Sequence, residues 1–527
     1  MKKINPIYFP LLLGLFLALG IFAGAYLNFE TPLDSPNTTN KKKEKLGRLI
    51  DYIDYEYVDA VNTDSIVDVT VNSILANLDP HSTYIPQSEY AEVSENMKGD
   101  FVGIGINFYR INDTITVIRP LDDSPSAKAG IKAGDRILYA DNQALFSAQL
   151  SNDSLSKILK GKVNSSVLLK VQRKGSDSLL EIEVERDHIP IKSIDAAYML
   201  GPELGYIKIN RFAENTFTEY QEASQKLIDL GAKNMVLDLR DNGGGFLKPA
   251  IQIADDFLKE DQLILFTKNK RDEVVKTMAS DVGNFESAQV YVLINEHTAS
   301  ASEVIAGALQ DHDIGTIIGR RSYGKGLVQR EMELGDGSAV RLTVARYYTP
   351  TGRSIQKPYG DNNENYHLEY LNRYENGELK HKDSIQVNDS LRYTTPKGKV
   401  VYGGGGITPD VFIPKDTHVT KEKLTYMLRG GIMDRFVFNK LEKDRSAFTD
   451  LSKEEFIQSY ELDEEWIGEF ISYLHQFNFD YRFGRYQELL KLYLKASMGE
   501  QLFNTQVKEQ IINSQDPYIK RVKRLAF

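Results

Sequence analysis

An uncharged, largely apolar run occupies residues 4–29, with Lys2 and Lys3 immediately before it. About 20 apolar residues are enough to cross a bilayer, and lysines on the N-terminal flank predict a cytoplasmic start with everything after Glu30 exported. Ala23-Gly24-Ala25 also has the small-residue spacing of a leader cleavage site. The apolar run continues past it through Tyr26 and Leu27, so residues 1–30 read as a signal anchor, and either reading exports the body. Residues 31–45 turn polar, with Pro32, Pro36 and Lys41-Lys42-Lys43, the pattern of a linker. Helical spacing of apolar residues follows over 46–97, interrupted at Asp79-Pro80, where a turn is expected.

The period then changes. Over 98–187, strand-like runs at 101–109, 114–118, 167–171 and 180–184 alternate with glycine turns and one helical stretch at 154–159, which predicts a small β-rich module. From 188 to 415, strands at 205–209, 235–239 and 290–294 alternate with helices near 218–230 and 301–310, the order of an α/β core with parallel pairing. Within it, residues 359–400 are polar and irregular, and 403–410 read as a return into the core. Residues 416–527 are charged, tyrosine-rich and helically spaced, and read as a helical appendage.

A chain of 527 residues with 41% apolar and 26% charged positions is a multidomain globular protein. Its net charge of −10 leaves no broad basic surface for phosphates, so nucleic acid is not the expected partner. With no cysteine, thiol nucleophiles, thiolate metal sites and disulfides are excluded, and no His-Glu-x-x-His zinc pattern occurs. No metal or cofactor is therefore expected.

The chemistry-bearing residues cluster in the α/β region. Ser300 follows the strand at 290–294 and opens a helix, where unsatisfied N–H groups favour developing negative charge. The same Ser300-x-x-Glu303 spacing is also that of a capping box. Lys325 stands between Gly324 and Gly326, and a lysine there could act as a base only if burial lowered its pKa from about 10.4. Gly243-Gly244-Gly245 ends the strand at 235–239 and can present N–H groups to an oxyanion. Residues 319–325 match the first seven positions of a phosphate-binding loop, but Gly326 replaces the required Ser or Thr and a strand, not a helix, is expected next. His297, three residues before Ser300, is poorly placed to serve as its base.

Two resemblances follow from these motifs. Gly103-Ile104-Gly105-Ile106, followed by Ala129-Gly130-Ile131-Lys132-Ala133-Gly134-Asp135, resembles a PDZ domain, whose glycine loop receives a terminal carboxylate while the peptide adds to a sheet edge. Leu237-Asp238-Leu239-Arg240 with its glycine loop, Ser300-Ala301-Ser302-Glu303, Tyr323-Gly324-Lys325-Gly326, Gln329 and the upstream Leu78-Asp79-Pro80-His81-Ser82 together resemble the carboxyl-terminal processing, or tail-specific, proteases over about residues 46–415. The resemblance implies a multidomain α/β fold with a protease core of the ββα-superhelix type and an inserted PDZ domain. It implies Ser300 as nucleophile, Lys325 as base, Gln329 as the residue that positions the lysine, and an oxyanion hole from the N–H groups of Ala301 and of Gly244 or Gly245. It further implies protein substrates with free, apolar or small C-termini, while the N-terminal segment predicts a place in the bacterial cell envelope, anchored in the inner membrane with the body in the periplasm, or exported after cleavage of the leader. The chain departs from the commoner pattern at Thr298, where serine is frequent, and at Gly243, where proline is. Residues 416–527 lie outside the resemblance and are candidates for docking an adaptor, forming a homo-oligomer or covering the cleft. The competing reading is a catalytically silent PDZ scaffold.

Overall fold

The computed structural model describes residues 41–146, 150–359, 363–448, 450–479 and 481–527. The expected anchor at 1–30 lies outside them, and among the described residues no helix is long and apolar enough to cross a membrane. The chain divides into two compact units, Met1–Val71 and Asn72–Phe527. In the first, the helix Lys41–Glu56 takes in residues 41–45, expected as linker. Lysine and glutamate are good helix formers, and Glu44 pairs with Arg48 one turn on at 3.3 Å.

The second unit is mixed α/β, with the expected small β-rich domain, an α/β core and a C-terminal helical region. The core sheet has six strands in the order Ile194–Gly201, Leu204–Ile209, Asn234–Asp238, Val290–Ile294, Gly315–Gly319 and Val411–Phe412. The first pair is antiparallel and every later pairing is parallel. All five residues of Val290–Ile294 are buried, as a strand covered on both faces requires. On one face lie the helices Thr216–Asp229, Leu247–Asp255 and Ala301–Asp311, packed around Leu237, Val292, Ile305 and Ile317.

The other face is covered by the last helix of the chain, Pro517–Ala526, whose Tyr518, Ile519 and Val522 pack on Tyr206, Val236, Tyr291 and Leu293. The far end of the expected appendage is thus part of the α/β core. The rest of the C-terminal region has its own core around Leu424, Met433, Phe436, Phe470 and Leu490.

A second sheet joins Thr83–Ile85, Ala339–Tyr348, Leu263–Asn269 and Val274–Met278, with Leu327–Glu333 pairing the other edge of Ala339–Tyr348. The stretch expected to be irregular contains the helix Asn363–Glu375 and a hairpin of Arg392–Thr394 with Val400–Tyr402.

The PDZ sheet runs Ile106–Ile111, Thr114–Pro120, Arg136–Ala140, Ser166–Gln172, Leu180–Glu185, which leaves Ile106–Ile111 at an edge. The single strand expected over 101–109 is in fact two. Asp100–Gly103 pairs with Asp187–Pro190 in a separate ribbon, and the chain turns at Gly105, whose φ is +75°. A Cβ there would lie 2.5 Å from the Ser124 Cβ, so only glycine fits.

Candidate active site

The segment between Val290–Ile294 and Ala301–Asp311 is pinned to the neighbouring strand end. Thr298 Oγ1 donates to the Leu239 carbonyl at 2.8 Å and accepts from the Asn295 N–H, while the Ala299 N–H reaches the Asn242 carbonyl at 3.0 Å. A hydroxyl is what position 298 needs, and threonine supplies it as serine would. Held this way, Ser300 has φ +57° and ψ −116°, a conformation that costs a residue bearing a Cβ about 1–3 kcal/mol.

The Glu303 carboxylate, fully buried, ties this turn to the lysine loop. One oxygen accepts the N–H groups of Ser300 and Lys325, both at 2.8 Å; the other accepts the Gly324 N–H at 2.7 Å and the Ser322 hydroxyl. Burial pushes its pKa above the usual carboxylate range, against the pull of these donors. From the other side, the buried Tyr347 hydroxyl meets the carbonyl oxygens of Ser300 at 3.1 Å and Lys325 at 2.9 Å. The capping-box spacing therefore fixes the two residues against each other as well as capping the helix.

Lys325 Nζ donates to Gln329 Oε1 at 2.7 Å, and Gln329 Nε2 donates to the His81 carbonyl at 2.6 Å. A carbonyl only accepts, so this second bond forces the amide oxygen toward the lysine. His81 is fixed in turn by Asp79, whose carboxylate accepts the N–H groups of His81 and Ser82, both at 2.8 Å, and the Ser82 hydroxyl at 2.7 Å. The Asp79-Pro80 break is thus the support of Gln329 from 248 positions upstream, a role no local signal in the sequence displays. Burial, reinforced by the positive Arg341, lowers the Lys325 pKa. No hydrogen bond joins Lys325 Nζ to Ser300 Oγ among the described residues.

Ser300, Lys325 and Gln329 line one cavity of about 520 Å³, together with the glycine loop, Phe246, Met97 and Arg341. Gly244 and Gly245 have φ of +99° and +144°. A Cβ on Gly244 would come 2.8 Å from the Ser300 Cβ, and one on Gly245 2.1 Å from the Phe212 carbonyl oxygen. The Gly244 N–H is engaged by Asn242 Oδ1 at 2.8 Å. The Gly245 N–H takes no part in the bridge to Phe212, which uses Gly244 O and the Phe246 N–H. Ala301 is the first residue of its helix, so its N–H has no acceptor within the helix. Below the loop, burial raises the Asp238 pKa but Arg240, bonded to it at 2.8 Å, brings it below the usual range.

His297 is exposed and does not line the cavity. Lys325 is followed by the strand Leu327–Glu333, not the helix a phosphate-binding loop needs. At the PDZ loop, the Ile104 and Gly105 carbonyls accept from Ser126 and Leu121, at 2.9 and 3.0 Å. The N–H groups of Ile104 and Gly105 make no hydrogen bond among the described residues. Gly103 ends the Asp100–Gly103 strand and Ile106 begins the edge strand.

Comparison with known proteins fits this geometry. Residues 203–362 match the model of peptidase family S41, and residues 102–184 match the PDZ domain. The chain is 36% identical over 349 residues to a carboxy-terminal-processing protease of Bartonella bacilliformis, covering 65% of this chain and 80% of that one. It belongs to the carboxy-terminal-processing proteases. A probable CtpA-like serine protease of Staphylococcus aureus is 32% identical over 334 residues, 63% of this chain and 66% of its own. The photosystem II D1 C-terminal processing protease aligns at 26% identity over 70% of this chain and 86% of that one, with a TM-score of 0.36. As a carboxy-terminal-processing protease the chain is a serine-type peptidase with a PDZ domain. Residues 424–504 match a family of unknown function.

Proposed function

We propose that Ser300 and Lys325 hydrolyse peptide bonds near the C-termini of proteins held by the PDZ domain. The observation that carries this reading is the convergence of Ser300, Lys325 and Gln329 on one cavity, with the lysine pKa lowered by burial. Gln329 accepts one N–H of a neutral Lys325 and leaves its lone pair free. Alignment by a bound substrate closes the contact between Nζ and Ser300 Oγ. The lysine takes the hydroxyl proton as Oγ attacks the scissile carbonyl, and the N–H groups of Ala301 and Gly245 receive the oxyanion. The C–N bond breaks with the proton passed from Lys325 to the leaving amine, and water activated by the same lysine hydrolyses the ester. The unpaired N–H groups of Ile104 and Gly105, flanked by Gly103 and Ile106, receive the substrate carboxylate while its tail adds to the edge strand Ile106–Ile111. Residues 1–30 tether the enzyme in the envelope with its body exported.

The test is labelling of the full chain, in detergent, with a fluorophosphonate and mapping of the adduct. The expected result is one adduct on Ser300, lost in Ser300→Ala and slowed at least a hundredfold in Lys325→Ala. An adduct elsewhere, or undiminished labelling of Lys325→Ala, would overturn the assignment.

A further inference from the structure

The region matched only to a family of unknown function presses against the PDZ sheet. Along Ile106–Ile111, Ile106 and Phe108 pack into the PDZ core, so Asn107 and Tyr109 face the other way. The Tyr109 ring meets Phe438 edge-on, centroids 6.0 Å apart. Arg136 pairs with Glu442 at 3.1 Å, and Lys174 Nζ donates to the Glu442 carbonyl at 2.9 Å.

Beside these contacts is a cavity of about 390 Å³, lined by residues 106–109 of the edge strand, Arg119, and, from the helical region, Asp434, Glu500 and Gln501. Most of its charges are matched: Arg119 lies 3.8 Å from Asp122, and Glu500 is paired with Lys508 at 2.5 Å. Asp434 is different. Its carboxylate accepts from the Ser497 hydroxyl, and no lysine or arginine lies within ion-pair reach of it among the described residues. Burial raises its pKa, against the opposing pull of the nearby Lys508 charge and the Ser497 hydroxyl. Gln501, 4% exposed, has an Oε1 with no hydrogen-bond partner. The helical wall therefore holds a carboxylate outside any ion pair beside a glutamine oxygen that lacks a donor.

We propose that this cavity is a second specificity site for the protein tail, taking a lysine or arginine side chain at the penultimate residue or two positions before it. The inference rests on the tail-capture reading above. A tail added to the edge strand with its carboxylate at residues 103–106 alternates its side chains between the two faces. The last and third-from-last side chains share the face of Ile106 and Phe108. The penultimate one and the one two before it share the face of Asn107 and Tyr109, where the cavity lies. A cationic side chain there meets the Asp434 carboxylate and the Gln501 oxygen.

The test is fluorescence anisotropy with the full chain carrying Ser300→Ala, so that bound peptides are not cut. Peptides of one length, all ending in the same apolar residue, carry lysine, alanine or glutamate at both positions; a fourth is the lysine peptide amidated at its C-terminus. The lysine peptide is expected to bind about tenfold tighter than the alanine peptide, as one charge-assisted hydrogen bond allows, and the glutamate peptide more weakly than either. Asp434→Asn should erase the lysine advantage and leave alanine binding unchanged. Asn107→Lys, at an exposed position, should also erase the lysine advantage by placing a cation opposite Asp434 in cis, and does not depend on altering a part-buried group. Equal binding of lysine and alanine peptides, or a lysine advantage that survives both variants, would overturn this site alone. Undiminished binding of the amidated peptide would overturn the tail capture beneath it, and the proposal with it.

Discussion

Replacing Glu303 by glutamine tests how the dyad is held. The carboxylate takes three backbone N–H groups, from Ser300, Gly324 and Lys325, and the Ser322 hydroxyl. An amide has one acceptor oxygen. In the better of its two orientations that oxygen keeps Ser300 and Lys325, and the new NH2 faces the Gly324 N–H. Ser322 can turn and accept, although it already receives the Ile407 N–H at 2.6 Å. One buried N–H is left unpaired, at about 1–3 kcal/mol. Part of this is offset, because the buried carboxylate was itself held at a raised pKa. Stability should therefore change little, while the lysine loop is released on one side of Lys325. A displacement of about 1 Å between reacting groups costs roughly a hundredfold in rate. Since Glu303 does not line the cavity, the loss should fall on kcat with KM within about twofold. The assay is steady-state cleavage of an internally quenched peptide, with thermal melts run in parallel. A Glu303→Gln enzyme with kcat within twofold of the parent would refute the claim that this carboxylate sets the geometry of Ser300 and Lys325.

Three further outcomes are expected. Lys325 is held below the ordinary lysine value of about 10.4 by burial, so between its lowered pKa and that value the unfolded chain binds a proton the folded chain does not. Stability should rise with pH across that window, the rise should vanish in Lys325→Met, and kcat/KM of the parent should climb through the lowered pKa; melts and rates against pH check both. A Cβ on Gly243 meets nothing within 4 Å, so Gly243→Ala should keep activity within about twofold, whereas Gly245→Ala, 2.1 Å from the Phe212 oxygen, should lose about a hundredfold or fail to fold, as rates and melts will show. Ending the chain after Asp516 removes Tyr518, Ile519 and Val522 from the sheet face, at about 1.5–3 kcal/mol each. That approaches the whole stability of a typical domain, so the truncated chain should lack a cooperative melt.

The sequence displays the site better than its supports. Ser300, Lys325 and the glycine loop are legible only together, through the motifs they share with the tail-specific proteases; alone, a helix start, a glycine-flanked lysine and a strand end fit a cap, a surface charge and a turn equally well. The PDZ domain is legible from two glycine-bearing segments in order, but not the break at Gly105, which depends on Ser124 lying beneath it. The last helix carries Lys520, Arg521, Lys523 and Arg524, which make it read as a surface element. Its buried stripe becomes meaningful only against strands some 300 positions earlier, such as Leu204–Ile209. The helix Asn363–Glu375 is hidden for a different reason: its buried Arg373 is satisfied by Glu369 at 2.6 Å and by the Ser322 carbonyl at 2.8 Å, so polarity there marks an ion-paired interior rather than a loop.

The central claim is that Ser300 and Lys325 carry out peptide hydrolysis. Its most direct test is cleavage of an unfolded protein with a free apolar C-terminus by the full chain and by its Ser300→Ala and Lys325→Ala forms, each shown to be folded by its melt. The account predicts that the parent cuts and that both variants are silent. Equal cleavage by all three would place the active site elsewhere and contradict it.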